Sequence, residues 1–65
     1  MNINQLQELG KVGVNRFRAI GPDGEKEGEW LDAWMGFLKF DGTEGFMIVQ
    51  QFIFLDQIDW IPIGI

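Results

Sequence analysis

Apolar positions fall into five stretches separated by glycine-bearing or polar breaks. In the first, Ile3, Leu6 and Leu9 recur at helical spacing. Asn2 stands where an N-cap belongs, Gln5 follows three residues on as in a capping box, and Gly10 is a natural stop. The spacing predicts a short helix that cannot persist alone, so its apolar stripe must dock on the rest of the chain. Val12 to Ile20, rich in β-branched and aromatic residues, predicts a strand. Val12 and Val14 share one face and Phe17 and Ala19 the other, which suggests a bulge or bend near Asn15, or a strand apolar on both sides. Gly21-Pro22-Asp23-Gly24 ends that strand as a turn, and Glu25-Lys26-Glu27-Gly28 reads as a polar, solvated stretch.

Residues 29–40 admit two readings. Trp30, Ala33, Trp34, Phe37 and Leu38 fit an amphipathic helix, with Glu29 near its start and Lys39 near its end. At period two, Trp30, Trp34, Leu38 and Phe40 share one face and Leu31, Ala33, Met35 and Phe37 the other, as in a buried or curved strand bent at Gly36. The strand is preferred because the flanking segments need a pairing partner.

Asp41-Gly42-Thr43-Glu44-Gly45 forms a hairpin loop, and Phe46 to Leu55 reads as the clearest strand of the chain. Phe46, Ile48, Phe52 and Phe54 lie on one face and Met47, Val49, Ile53 and Leu55 on the other, with only Gln50 and Gln51 polar. A half-exposed strand alternates apolar with polar residues, so this pattern predicts cover on both faces. One small layer supplies one core, so a second copy of the chain is expected to cover the remainder. A last strand, Ile58 to Ile63, follows a corner at Asp56-Gln57, and Pro62 favours an edge position.

The expected fold is a single domain over residues 1–65, mainly β or small α+β. A short N-terminal helix precedes a strongly bent antiparallel meander or SH3-like small barrel. The helix-first, five-stranded order and Gly36-Phe37-Leu38-Lys39-Phe40-Asp41 resemble the Sm and Hfq family and its first signature. The segment is one residue shorter than that signature, and the Asn expected soon after the Asp is absent. Leu55-Asp56-Gln57-Ile58 lacks the family's glycine-containing RNA-contact turn. The resemblance implies a fold, and RNA binding is not carried over from it.

Composition narrows the chemistry. The chain has no Ser, Cys, His or Tyr, and Thr43 is its only hydroxyl side chain. Nucleophile–His mechanisms and the usual zinc sites are therefore excluded, and neither a cofactor nor catalysis is expected. Carboxylates remain, with Asp56 and Asp59 at the final corner and Asp32 in an aromatic segment, but so short a chain rarely encloses a substrate pocket. Asp23-Gly24-Glu25-Lys26-Glu27-Gly28 resembles the start of a calcium-binding EF-hand loop. Glu replaces Asp at its third and fifth positions, and Trp34 stands where the bidentate Glu belongs.

Net charge is −5. Residues 1–20 carry Lys11, Arg16 and Arg18 against Glu8, +2, whereas residues 21–65 carry nine acids against Lys26 and Lys39, −7. Phosphate repels such a surface, so direct nucleic-acid binding is disfavoured. No basic start with an apolar run marks a signal peptide, and no stretch has the length of a membrane helix, so a cytoplasmic protein without membrane association is expected.

Function is then expected to be protein binding and self-association through aromatic surface, with Trp30, Trp34 and Trp60 as contact residues. The alternative is an acidic inhibitor, made for example by a phage, that presents Glu25, Glu27 and Glu29 to a nucleic-acid-handling or defence enzyme. A further alternative is small-ligand binding in an inter-subunit pocket lined by Trp and by Arg16 and Arg18.

Overall fold

The structure, a computed structural model, describes residues 1–41, 43–52 and 57–64. Helix α1 (Ile3–Lys11) leads into strands β1 (Arg16–Gly21), β2 (Gly24–Asp32), β3 (Phe37–Phe40) and β4 (Met47–Ile48). A 3-10 turn (Val49–Gln51) and β5 (Asp59–Gly64) complete the order. The fold is mainly β. All neighbouring strands are antiparallel, in the order β4-β3-β2-β1-β5, so the meander's first strand also receives the last.

The capping box forms as its residues imply: the Asn2 side chain accepts the Gln5 N–H and the Gln5 side chain accepts the Asn2 N–H. The helix ends later than Gly10. Val14 N–H donates to Leu9 O (3.0 Å) and Gly13 N–H to Gly10 O (3.3 Å), with Gly13 at φ 106°. This is a Schellman closure, and it takes up Val12 to Val14, so the expected strand from Val12 begins instead at Arg16. With Val12 and Val14 outside the strand, no bulge at Asn15 is needed to change their face; the irregularity of β1 is a register shift against β5 between Arg16 and Phe17.

Gly10 serves packing. A Cβ there would lie 2.6 Å from Trp30 Cδ1 and 2.9 Å from the Ala33 Cβ, so its bare face lets α1 lie on the sheet. Ile3 and Leu6 are buried beside it, which is how the helix stripe docks.

Phe17 sits at the centre of the core with its ring 5.6 Å from Trp30, 5.9 Å from Phe40 and 5.7 Å from Trp60. Phe40 and Trp60 stack at 6.0 Å although β2 and β1 lie between their strands. In a flat sheet those strands would run about 14 Å apart, so the sheet curls around these rings. Gly28 faces Phe17 across the β1–β2 ladder, where a Cβ would come within 2.7 Å of Phe17 Cε1 and 2.8 Å of Lys39 O. Among the described residues β4 and β5 do not pair, so the sheet is curled without its two ends joining.

Three expectations are corrected. Residues 24–32 form one strand, so Glu25, Lys26 and Glu27 are exposed as their polarity implies but stand in a ladder with β1, and the acidic run is not a calcium-type loop. Residues 29–40 are neither a continuous strand nor a helix, since a turn at residues 33–36 with Gly36 at φ 78° separates β2 from β3. The strand expected from Phe46 to Leu55 stops after Ile48. Val49 and Phe52 are both buried, and residues three apart share a face on a 3-10 turn but oppose each other on a strand. Ile53, Phe54, Leu55 and Asp56 lie outside the described residues. The continuous two-faced strand from which self-association was expected is therefore not formed over Phe46–Phe52.

Candidate binding surface

The three tryptophans do not form one surface. Trp30 and Trp60 are 6% and 3% exposed and belong to the Phe17 cluster, whereas Trp34 is 74% exposed on the β2–β3 turn. Period-two parity had grouped Trp34 with Trp30; the turn breaks that parity, and the side chain points away from the core.

The turn carrying Trp34 is braced on both sides. Asp32 Oδ1 accepts the Met35 N–H at 3.1 Å, and Gln7 Nε2 of the helix donates to Ala33 O at 2.7 Å. Lys11 Nζ lies 5.0 Å from the centre of the Trp34 ring, so the helix end supports the indole by a cation–π contact. Asp32 is exposed and acts as a turn cap, which removes the desolvating aromatic setting expected for it.

Around this turn lies an apolar corner. Leu31 and Met35 are exposed beside Trp34, and Phe46 and Ile48 are exposed at the adjoining β4 edge. Phe37 pairs with Ile48 in register, and its ring lies 4.7 Å from that of Phe46. Val49 N–H donates to Gly36 O at 2.9 Å, tying the turn to the end of β4. The sequence reading had not singled out Leu31, Met35, Phe46 or Ile48 as binding residues. The period-two reading places Leu31 and Met35 in a buried or curved strand, and Phe46 and Ile48 on a two-faced strand partly covered by a second copy; the turn at residues 33–36, the bulge between Trp30 and Asp32 and the shortness of β4 leave them exposed.

Arg16, Arg18, Glu25, Glu27 and Glu29 are brought together on the outer face of β1 and β2. Arg16 Nη2 lies 3.5 Å from Glu27 Oε1 and Arg18 Nε 3.2 Å from Glu25 Oε1. Glu29 is in register with Arg16 on one side and Lys39 on the other. Three acids thus stand among three bases, and the acidic run faces its own counter-charges. All four bridged side chains are about half exposed, so each pair contributes under about 1 kcal/mol. The alternating acids lie along a strand and do not curl round a common point as a calcium loop requires.

A groove of about 550 Å³ runs over this face, lined by Arg16, Glu27, Glu29, Lys39, Asp41 and Thr43 among others. It holds an arginine but none of the tryptophans expected with it in a ligand pocket. Among the described residues no carboxylate is buried, and Thr43 Oγ1 donates to Phe40 O at 2.8 Å. No helix among the described residues is long and apolar enough to cross a membrane. The chain matches no known protein family, no characterised protein and no solved structure, so its function is to be read from this surface.

Proposed function

We propose that the chain is a non-catalytic protein-binding domain whose contact surface is the corner built by Leu31, Trp34, Met35, Phe46 and Ile48. The observation that carries the proposal is Trp34, a large aromatic left 74% exposed on a turn fixed by two hydrogen bonds. An aromatic anchor held in place before contact loses little conformational freedom on binding, which is why tryptophan dominates binding hot spots. A protein with enough aromatic residues to fill its core has no folding use for this one. The acidic-inhibitor reading ranks behind it because Glu25 and Glu27 already engage Arg18 and Arg16. Self-association is retained as one way of covering the same corner, not as a consequence of a two-faced strand.

The test is comparative capture from a bacterial lysate, by the wild-type chain, Trp34→Ala and Ile48→Lys, with light scattering on each purified protein. Binding of a partner, or of a second copy, should weaken at least about 30-fold in both variants while circular dichroism stays unchanged. Capture and association that are indifferent to both substitutions would remove the corner from the function.

A further inference from the structure

Among the described residues no strand pairs with the outer side of β4, and this edge differs from the one β5 presents at the other end of the sheet. Val49 N–H faces inward to Gly36 O, and successive N–H groups on an extended chain point to opposite sides. The Ile48 N–H therefore faces outward, away from β3. It is not left to solvent: Gln51 Oε1, on an exposed side chain from the following 3-10 turn, accepts it at 3.0 Å. The amide oxygen stands where the carbonyl of an added strand would stand. At the other end, β5 carries Pro62, which has no N–H, so its ladder is interrupted and suits a protected edge.

We infer that the β4 edge is a strand-addition site for an extended, apolar segment of another protein flanked by lysine or arginine, and that Gln51 is the plug such a segment displaces. The inference rests on the protein-binding reading above and names the partner's chemistry. Phe37, Phe46 and Ile48 offer apolar contacts to alternate side chains of an incoming strand, while main-chain hydrogen bonds supply its register. Charge selects the flanks. Exposed Asp41 and Glu44 precede β4, and no Lys or Arg occurs from Phe40 to Ile65. A second copy brings a further −5 to the same place and is disfavoured as the occupant.

The probe is a nine-residue peptide with Val and Thr alternating between paired terminal lysines, titrated into the isotope-labelled chain and followed by amide chemical shifts. Shifts should concentrate at Phe46, Met47 and Ile48 and spare Asp59–Gly64. Gln51→Ala should tighten binding about fivefold, since one competing hydrogen bond is gone. N-methylation of alternate peptide amides should abolish binding, and glutamates in place of the terminal lysines should weaken it about tenfold. Shifts centred on β5, a fully competent N-methylated peptide, no binding at all, or Gln51→Ala binding no better than wild type would each overturn the inference. Dimerisation of Gln51→Ala through the same amides would assign the edge to a second copy and overturn the basic partner. None of these outcomes touches the lysate comparison, so the corner can remain a binding surface when the strand mechanism fails.

Discussion

Two regions of this molecule both gather aromatic and large aliphatic residues and have opposite fates. Around Phe17, the rings of Trp30, Phe40, Phe52 and Trp60 interlock at 5.4–6.0 Å and are excluded from water. Around the β2–β3 turn and β4, Leu31, Trp34, Met35, Phe46 and Ile48 stay exposed. Hydrophobicity is therefore not what separates core from surface here. Curvature separates them: the sheet closes one of its faces on itself, and whatever the opposite face or the turn carries is left outside. A small domain has no second layer with which to cover such a remainder. An exposed apolar group then adds little to the stability of the fold, and it is this remainder on which the proposed contact with another chain rests.

The contrast breaks most visibly at Phe17. Phe17→Ala should cost about 3–5 kcal/mol, because the ring is the shared neighbour of three others, and that loss approaches the whole stability of so small a domain. Chemical denaturation would show it; a cost below about 1 kcal/mol would mean the aromatic cluster is not the core. Gly10→Ala probes the seam between helix and sheet. Alanine normally improves a helix interior by about 1 kcal/mol, but here its methyl meets Trp30 and Ala33, so a net loss of about 1–3 kcal/mol is expected in the same assay. A gain in stability would show that α1 docks loosely. Trp34→Ala should change stability by less than about 1 kcal/mol, as Trp34 is largely exposed and loses its cation–π contact with Lys11. A larger effect would place Trp34 with the core and erase the comparison.

Much of the architecture is legible from local chemistry. Asn2 and Gln5 specify a capping box whatever surrounds them, and both hydrogen bonds form. Gly21-Pro22-Asp23-Gly24 specifies a tight turn, with Gly21 and Gly24 paired across it. Pro62 favours an edge, and among the described residues β5 stands at the end of the sheet. The misread segments are those where two local patterns compete. Val12 and Val14 favour a strand by composition, yet Gly13 at positive φ makes them part of a helix closure. Phe46 to Leu55 looks like a strand at period two, but Val49-Gln50-Gln51-Phe52 also carries an apolar period of three. The core selects the second because it brings both Val49 and Phe52 inward. That spacing is the sequence signal for the break, and Gln51 lies within it as the side-chain acceptor of the Ile48 N–H.

The sequence by itself determined the helix cap, the turn from Gly21 to Gly24, the mainly β character, and a composition without Ser, Cys, His or Tyr. Each of these depends on residue identity or on neighbours a few positions away. Only the tertiary structure decided that Trp30 and Trp60 are core while Trp34 is not, that the acids of β2 meet Arg16 and Arg18, and that one sheet edge carries an N–H held by a glutamine side chain. Those outcomes depend on the register between distant strands and on the curl of the sheet around Phe17, and neither is encoded in any local stretch of chain.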